Sequence, residues 1–116
     1  MADFTDAQVA YLNSQRLGRL ATLRRDGTLQ NNPVGFRFDE ATGTFEIGGF
    51  NMGNSRKYKN VEANGQVAFV VDDLATVDPW KPRMVEVRGT GEVIPADPRN
   101  ALIRIHPKRV ISFGIE

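Results

Sequence analysis

The chain of 116 residues contains no cysteine and only one histidine, His106. Without cysteine there can be no disulfide, no thiolate metal ligand and no cysteine nucleophile. A single histidine leaves almost no room for a histidine-rich metal site or a Ser-His-Asp triad, so we expect no bound metal. We interpret His106 as a surface or loop residue. The lack of cysteine is compatible with a reducing compartment, and we expect a cytoplasmic protein.

Long hydrophobic runs and an excess of one charge are also missing. The longest apolar run covers only residues 67–71, whereas a membrane-spanning helix needs about 20 residues. The first residues show no basic stretch followed by an apolar one, so we expect neither a signal peptide nor a membrane span. Fifteen basic and fourteen acidic residues give a net charge of +1, which argues against nucleic-acid binding. Any site for an anion must therefore be local.

The composition that remains is typical of one globular domain. Hydrophobic residues make up 41% of the chain and charged residues 25%, and no repeat or linker interrupts them. We therefore expect residues 1–116 to form a single domain.

A short helix is expected near the start of the chain. Residues 5–8 read Thr-Asp-Ala-Gln, the pattern of a capping box. Phe4 and Val9 flank it in the positions of a hydrophobic staple. The helix should end at about Asn13 or Ser14 and place Val9 and Leu12 against the core.

Beyond Gly18 the hydrophobic period changes to two, which is typical of half-buried strands. The Asp26-Gly27 pair predicts a hairpin turn. The returning strand is expected to run past Pro33 as one piece, with three residues on one face: Val34, Phe36 and Phe38. Because proline has no amide hydrogen, Pro33 must lie on an edge strand or in a bulge.

Further strands complete the predicted sheet. Phe45 and Ile47 face inward on a third strand. Residues 67–71 do not alternate and are expected to be buried on both faces. Residues 84–93 form the longest strand, and residues 109–115 close the sheet. The pattern predicts a mainly-β (α+β) domain, an antiparallel barrel of six or seven strands with two or three short helices.

The segment of residues 51–60 has the features of an anion site. Ser55, or Asn54, is placed to cap a helix whose first turn carries Arg56, Lys57 and Lys59. Cations are unfavourable at that end of a helix, because the free amides already present positive potential. A bound phosphate would reverse the effect, since amides, a hydroxyl and cations would converge on it. The alternative is a solvated surface turn.

Two other segments are candidates for contact with a ligand. The side-chain amides beside Pro33, including Asn32, leave a strand edge able to bond the polar rim of a planar ligand. Trp80 lies in a stiff loop beside Lys81 and Arg83, which suits covering an aromatic ring or packing on a partner subunit. The alternatives are a structural strand edge and ordinary loop packing.

The order of these segments resembles the pyridoxamine 5'-phosphate oxidase-like split-barrel superfamily. The resemblance extends over about residues 16–95, and its motifs are fairly specific as a series rather than singly. They are GRLATL at residues 18–23, Asp26-Gly27, Asn32-Pro33-Val34, Phe50-Asn51 with Ser55-Arg56-Lys57 and Asn60, and VRGTG at residues 87–91.

This resemblance implies a homodimer with a flavin-type cofactor at the subunit interface. Ser55, Arg56 and Lys57 would hold the cofactor's phosphate. The other cofactor-binding residues that we expect are Asn32, Pro33 and Val34 beside the ring, Phe50 and Asn51 at a strand end, and also Asn60 and Trp80.

One departure from the family bears on the cofactor. The pyridoxamine phosphate oxidases have arginine at the position of Asn32, and we expect this chain to lack their C-terminal substrate-binding extension. Both points favour the shorter branch that resembles deazaflavin-dependent reductases, which use coenzyme F-420. We therefore expect hydride transfer from the reduced deazaflavin to an electron-poor small molecule. The alternatives are an FMN-dependent oxidoreductase and a non-catalytic binder of either cofactor. No catalytic residue is identified, and Tyr58 or solvent could deliver the proton.

Overall fold

The fold is a strongly curled antiparallel sheet with two short helices, seen in a computed structural model that describes residues 3–115. The elements in chain order are α1 (Asp6–Asn13), β1 (Leu17–Leu23), β2 (Leu29–Gly35), β3 (Arg37–Asp39), β4 (Thr44–Ile47), a single 3-10 turn (Met52–Asn54), α2 (Arg56–Ala63), β5 (Gln66–Thr76), β6 (Lys81–Ile94) and β7 (Leu102–Phe113). Neither helix in this part of the chain is long and apolar enough to cross a membrane.

All seven strands belong to one sheet, and every pair of neighbours is antiparallel. The strand order is β2-β1-β5-β6-β7-β4-β3. The prediction that Pro33 lies on an edge strand is confirmed, because β2 has only β1 as a neighbour. The Asp26-Gly27 hairpin is confirmed as well, and Gly27 takes the positive φ of 85° that such a turn requires.

Helix α1 begins at the predicted capping box. The Thr5 amide donates to Gln8 Oε1 over 2.9 Å, and the Gln8 amide donates to Thr5 Oγ1 over 3.1 Å. Leu12 is buried as expected, but Val9 is only half-buried and Tyr11 is buried instead.

Tyr11 connects α1 to the hairpin formed by β5 and β6. Its hydroxyl donates to Asp73 Oδ1 over 3.0 Å, and Asp73 forms an ion pair with Arg83 over 2.6 Å. Burial and the hydrogen bond to Asp73 raise the pKa of Tyr11. The hydrogen bond from Arg83 lowers the pKa of Asp73, which therefore stays ionised and holds the contact at neutral pH.

The expectation of one continuous strand through Pro33 and Phe38 is wrong. The chain divides at Phe36, so that β2 pairs with β1 while β3 pairs with β4 at the opposite edge of the sheet. Phe36 points into the core, where its ring centroid lies 5.4 Å from that of Phe69 and 5.9 Å from that of Phe45. Burial of this side chain fixes the bend between the two strands.

The expectation that residues 67–71 are buried on both faces is also wrong. Val67, Phe69 and Val71 point into the core, whereas Ala68 and Val70 lie half-buried on the outer face of the sheet. The run reads as unbroken because the outer face is itself apolar here.

Strand β7 begins at Leu102 rather than at residue 109, and it lies inside the sheet between β6 and β4. The first half of β7 was not predicted, because it contains Pro107 and a proline normally argues against a strand. The register between β6 and β7 shifts just after Arg88, and this irregularity accommodates Pro107. His106 therefore lies on a strand, half-exposed, with its ring nitrogen 2.8 Å from Glu92.

The irregularity requires glycine at position 89. A Cβ atom added there would lie 2.1 Å from the carbonyl oxygen of His106, whereas one added at Gly35 would meet nothing closer than 3.9 Å. We predict that Gly89→Ala lowers the free energy of unfolding by about 1–3 kcal/mol, because the backbone must move to relieve the overlap. The control Gly35→Ala should leave it unchanged or slightly raised. Urea denaturation measures both variants, and equal stability of the two would contradict this packing argument.

Candidate functional site

A cleft of about 440 Å³ opens where the end of β2 faces the chain that follows β4. Its walls are residues 33–35, residues 48–52, and residues 54, 55 and 57 at the start of α2. The cleft lies beside the break between β2 and β3, where no strand within residues 3–115 pairs with the end of β2 on that side. The split in the sheet thus leaves space for a ligand.

The walls of the cleft formed by β2 and by residues 48 and 49 carry few polar side chains. Pro33 has no amide hydrogen, and Gly35, Gly48 and Gly49 have no side chains. The buried side chains of Val34 and Met52 add apolar surface. Such a wall suits the face of a planar ring.

The start of α2 supplies the polar end of the cleft. Ser55 caps the helix, since its Oγ accepts the Tyr58 amide over 3.2 Å and donates to the Met52 carbonyl over 2.7 Å. The Ser55 carbonyl accepts the Lys59 amide over 3.3 Å. The amides of Arg56 and Lys57 are left without an intrahelical partner, as in the first turn of any helix. Two amides and the helix dipole can therefore receive an anion.

The cations at this helix start face in two directions. Lys57 lines the cleft itself. Four other cations surround a neighbouring depression of about 200 Å³: Arg24, Arg25, Arg56 and Lys59. Within residues 3–115 none of these four takes part in an ion pair. Asp26 is the acidic residue of the depression, and its carboxylate accepts hydrogen bonds from Thr28. The region is thus positive overall.

Asn60 and Asn32 lie beside the cleft rather than in its walls. Asn60 is buried beneath β1 and β2, with its side-chain amide bonded to Thr22 and Gln30. Asn32 is half-buried on the inner face of β2, two residues before Val34, and accepts a hydrogen bond from Gln30. Side-chain hydrogen bonds therefore connect the two asparagines through Gln30.

The remaining expected residues lie at the rim or elsewhere. Phe50 lies at the cleft with 86% of its surface exposed, and the Arg99 guanidinium is 5.6 Å from its ring centroid. Asn51 Oδ1 accepts a hydrogen bond from Asn54 over 3.1 Å. Trp80 is 68% exposed beyond the end of β5 and does not line the cleft of its own chain.

The structure thus brings six of the ten expected residues to one cleft: Pro33, Val34, Phe50, Asn51, Ser55 and Lys57. Gly48, Gly49 and Met52 also line the cleft but were not predicted from the sequence. The two consecutive glycines could have indicated this position, because glycine allows a ligand to approach the backbone closely. Gln30 was not predicted either, although it shares the face of Asn32 because the two are two residues apart on one strand.

A larger and more apolar depression, of about 480 Å³, lies on the outer face of the sheet. The alanines Ala21 and Ala68 are paired across β1 and β5 there, with Leu23 and Leu29 beside them. Cations border it on the side of β6 and β7: Arg88, Lys108 and Arg109. Among the described residues, no helix start lines this depression.

Comparison with known proteins identifies the family of this chain. A family model described as pyridoxamine 5'-phosphate oxidase matches residues 4–113. The chain belongs to this family. Membership confirms the resemblance drawn from the sequence motifs, and it supports an oxidoreductase with a flavin-type cofactor.

Individual relatives agree with this family. A 5a,11a-dehydrotetracycline/5a,11a-dehydrooxytetracycline reductase of Streptomyces rimosus is 45% identical over 97% of this chain and 84% of its own length. A conserved hypothetical protein of Mycobacterium tuberculosis has a similar structure, with a TM-score of 0.78, 21% identity, and 100% and 89% of the two chains covered. A structure named as an F-420 reductase gives a TM-score of 0.66 at 26% identity, covering 84% of this chain and 90% of that one. The predicted split-barrel fold is confirmed.

The cap of α2 can be tested apart from any ligand. We predict that Ser55→Ala lowers the free energy of unfolding by about 0.5–2 kcal/mol, because the Tyr58 amide loses its acceptor. Ser55→Asp should keep the parent stability or exceed it, since aspartate caps well and its charge suits the positive end of the helix. Thermal and urea unfolding measure both. An alanine variant as stable as the aspartate variant would show that Ser55 does not cap the helix.

Proposed function

We propose that this protein is a deazaflavin-dependent oxidoreductase that transfers a hydride from reduced coenzyme F-420 to an electron-poor small molecule. The observation that carries the proposal is one cleft that combines a wall poor in polar side chains with an anion anchor at its end. A cofactor made of a planar ring and a phosphate needs both parts. The reductase names of the Streptomyces relative and of the structural neighbour support this activity.

The bound cofactor would supply the hydride, and the protein would supply orientation. Lys57 and the free amides of Arg56 and Lys57 would hold the phosphate, and Ser55 would position those amides by capping the helix. Val34 and Met52 would exclude water from one face of the ring, and Pro33 would border its edge. Tyr58 is buried in the core, so we assign the delivery of the proton to solvent at the open mouth of the cleft.

The proposal that the cofactor is a deazaflavin rather than FMN rests on Asn32 and on the two reductases that the chain resembles. Asn32 is neutral where the pyridoxamine phosphate oxidases that the sequence resembles carry an arginine. One cation that could balance the charge of FMN or bond its ring is therefore missing. The anchor at the start of α2 does not discriminate, because both FMN and F-420 carry a phosphate group.

Titration of the purified protein with F-420, FMN and FAD, followed by fluorescence and calorimetry, tests the choice of cofactor. We expect the tightest binding for F-420, and then reoxidation of reduced F-420 when 5a,11a-dehydrotetracycline, the substrate class of the relative, is added. Sub-micromolar FMN binding without measurable F-420 binding would reverse the choice. Binding of F-420 without turnover of any electron-poor acceptor would favour the non-catalytic alternative.

The phosphate anchor predicts large effects of charge on affinity. In the double variant Arg56→Ala/Lys57→Ala, the charge-assisted contact of Lys57, worth about 1.5–3 kcal/mol, is lost together with the positive charge of Arg56, whose side chain borders the neighbouring depression. Cofactor affinity should therefore fall by about one to two orders of magnitude, measured by fluorescence titration. Thermal stability should hold or rise, because two cations leave the positive end of the helix.

Two further variants serve as controls for this prediction. Ser55→Asp should fold normally yet bind the cofactor poorly, because its carboxylate would repel the phosphate. Lys59→Ala, on the same helix, should weaken binding less, because Lys59 lies outside the cleft wall. A double variant that melts lower and still binds like the parent would place the anion site elsewhere.

We also propose that the protein is a homodimer through the outer face of β1 and β5. The small side chains of Ala21 and Ala68 would let a second sheet approach closely, and Leu29 beside them is 74% exposed. A second copy is the occupant we assign, because a two-fold contact buries the same apolar patch on both chains. Trp80 is exposed outside its own cleft, so a role in cofactor binding requires it to reach the partner's cleft.

Sedimentation analysis at micromolar concentration tests the dimer. We predict a mass of about twice the 12.9 kDa of one chain. Ala68→Arg should yield monomers, because two guanidinium groups would meet in an apolar contact. The control Ala41→Arg, at the exposed turn between β3 and β4, should remain dimeric. A monomeric parent protein would contradict the proposal.

A further inference from the structure

Three side-chain amides form a hydrogen-bonded relay that begins beneath the sheet and ends beside the cleft. Asn60 on α2 donates from Nδ2 to Thr22 Oγ1 over 3.1 Å and to Gln30 Oε1 over 3.0 Å. Gln30 then donates from Nε2 to Asn32 Oδ1 over 2.7 Å. The relay thus connects α2, β1 and the edge strand β2.

In the structure the hydrogen bonds of the relay run in one direction, from Asn60 through Gln30 to Asn32. Both amide hydrogens of Asn60 are used on Thr22 and Gln30, and Asn60 is only 2% exposed. Because the oxygen of Gln30 is engaged by Asn60, its nitrogen faces Asn32. The oxygen of Asn32 is therefore engaged in turn, and its Nδ2 is left to donate to something else.

Asn32 occupies a position where a ligand could meet that donor. Its side chain is half-buried on the inner face of β2, between Gln30 and Val34, and both Val34 and the adjacent Pro33 belong to the cleft wall. Among residues 3–115, Asn32 Nδ2 makes no hydrogen bond to another side chain. The group at this end of the relay is thus a donor without a protein side chain to receive it.

We propose that Asn60 and Gln30 are positioning residues, which hold Asn32 as a hydrogen-bond donor to a carbonyl oxygen or an unprotonated ring nitrogen on the rim of the bound ring. This inference rests on the proposed function, because it takes the planar cofactor as the occupant of the cleft. It adds the polarity of the contact: the ring edge beside β2 must present an acceptor. A ring edge that presents an N–H group would face another donor.

The substitution Gln30→Glu tests the direction of the relay. A carboxylate only accepts, so Asn32 can keep its bond to position 30 only by turning Nδ2 towards it and its oxygen towards the ligand. Cofactor affinity should then fall about tenfold to hundredfold, because two acceptors face each other. Gln30→Leu releases Asn32 without adding charge, and it should weaken binding only about twofold, since half of the side chains still present the donor.

A double-mutant cycle with Asn32→Ala separates polarity from charge. If the carboxylate introduced at position 30 acts by turning Asn32, then Gln30→Glu should have little further effect on affinity in the Asn32→Ala background. The absorption maximum of the bound cofactor should shift alike in Gln30→Glu and Asn32→Ala, because both lose the same hydrogen bond to the ring. If Gln30 contributed only to the stability of the fold, Gln30→Glu would change neither the cofactor affinity nor the absorption maximum of the bound cofactor.

Each outcome of this experiment decides the inference. A parent protein that binds neither F-420 nor FMN overturns the proposed function and the relay together. A parent that binds, with additive effects of the two substitutions, overturns the relay alone and shows that the introduced carboxylate acts by its charge. Circular dichroism confirms that each variant is folded, and Asn32→Ala on the edge strand tests the donor even if Gln30→Glu does not fold.

Discussion

The fold depends on the contact of aromatic rings at Phe45, because the two edges of the sheet are not joined by hydrogen bonds. The ring of Phe45 is fully buried, with centroids of Phe36 and Phe38 at 5.9 and 4.9 Å and that of Phe69 at 5.3 Å. Phe36 lies where the chain leaves one edge strand for the other, so its packing holds the curl of the sheet. The cleft lies next to this break, between the end of β2 and the chain that follows β4. The site therefore follows from an incomplete closure that the core tolerates because aromatic packing replaces the missing backbone pairing.

Elements set by neighbouring residues could be predicted from the sequence. The capping box at Thr5, the hairpin at Gly27, the edge position of Pro33 and the cap at Ser55 each depend on a few consecutive side chains and their backbone preferences. The division at Phe36 and the central place of β7 depend instead on which distant strands pair. No local pattern contains that information, and Pro107 even argued against the strand in which it lies.

The same distinction applies to the candidate site. Ser55 and Lys57 could be predicted together because they are nearly consecutive and lie at one helix start. The rest of the cleft wall was predicted only in part, since Gly48 and Gly49 are distant in sequence from Pro33, with which they line the cleft. The contact between Asn60 and Gln30 joins residues 30 positions apart, and a single sequence gives no sign of it. The hydrogen bond between them forms only in the folded chain, where α2 lies under β2.

The two helices differ in the charge of their first turns, and this difference links the stability of α2 to the binding of an anion. Both have eight residues and a hydroxyl cap, but α1 carries Asp6 in its first turn, whereas the first turn of α2 contains no acidic residue and includes Arg56 and Lys57. An acidic first turn stabilises a helix by itself, while a cationic one gains stability only when an anion binds. An anionic ligand at the start of α2 would therefore stabilise the folded protein, by about 2.7 kcal/mol at a hundred times its Kd. Because α2 also buries Asn60 beneath β1 and β2, stabilisation of the helix start extends to the strands that border the cleft. Binding of the anion and ordering of the ring site are thus coupled through one short helix.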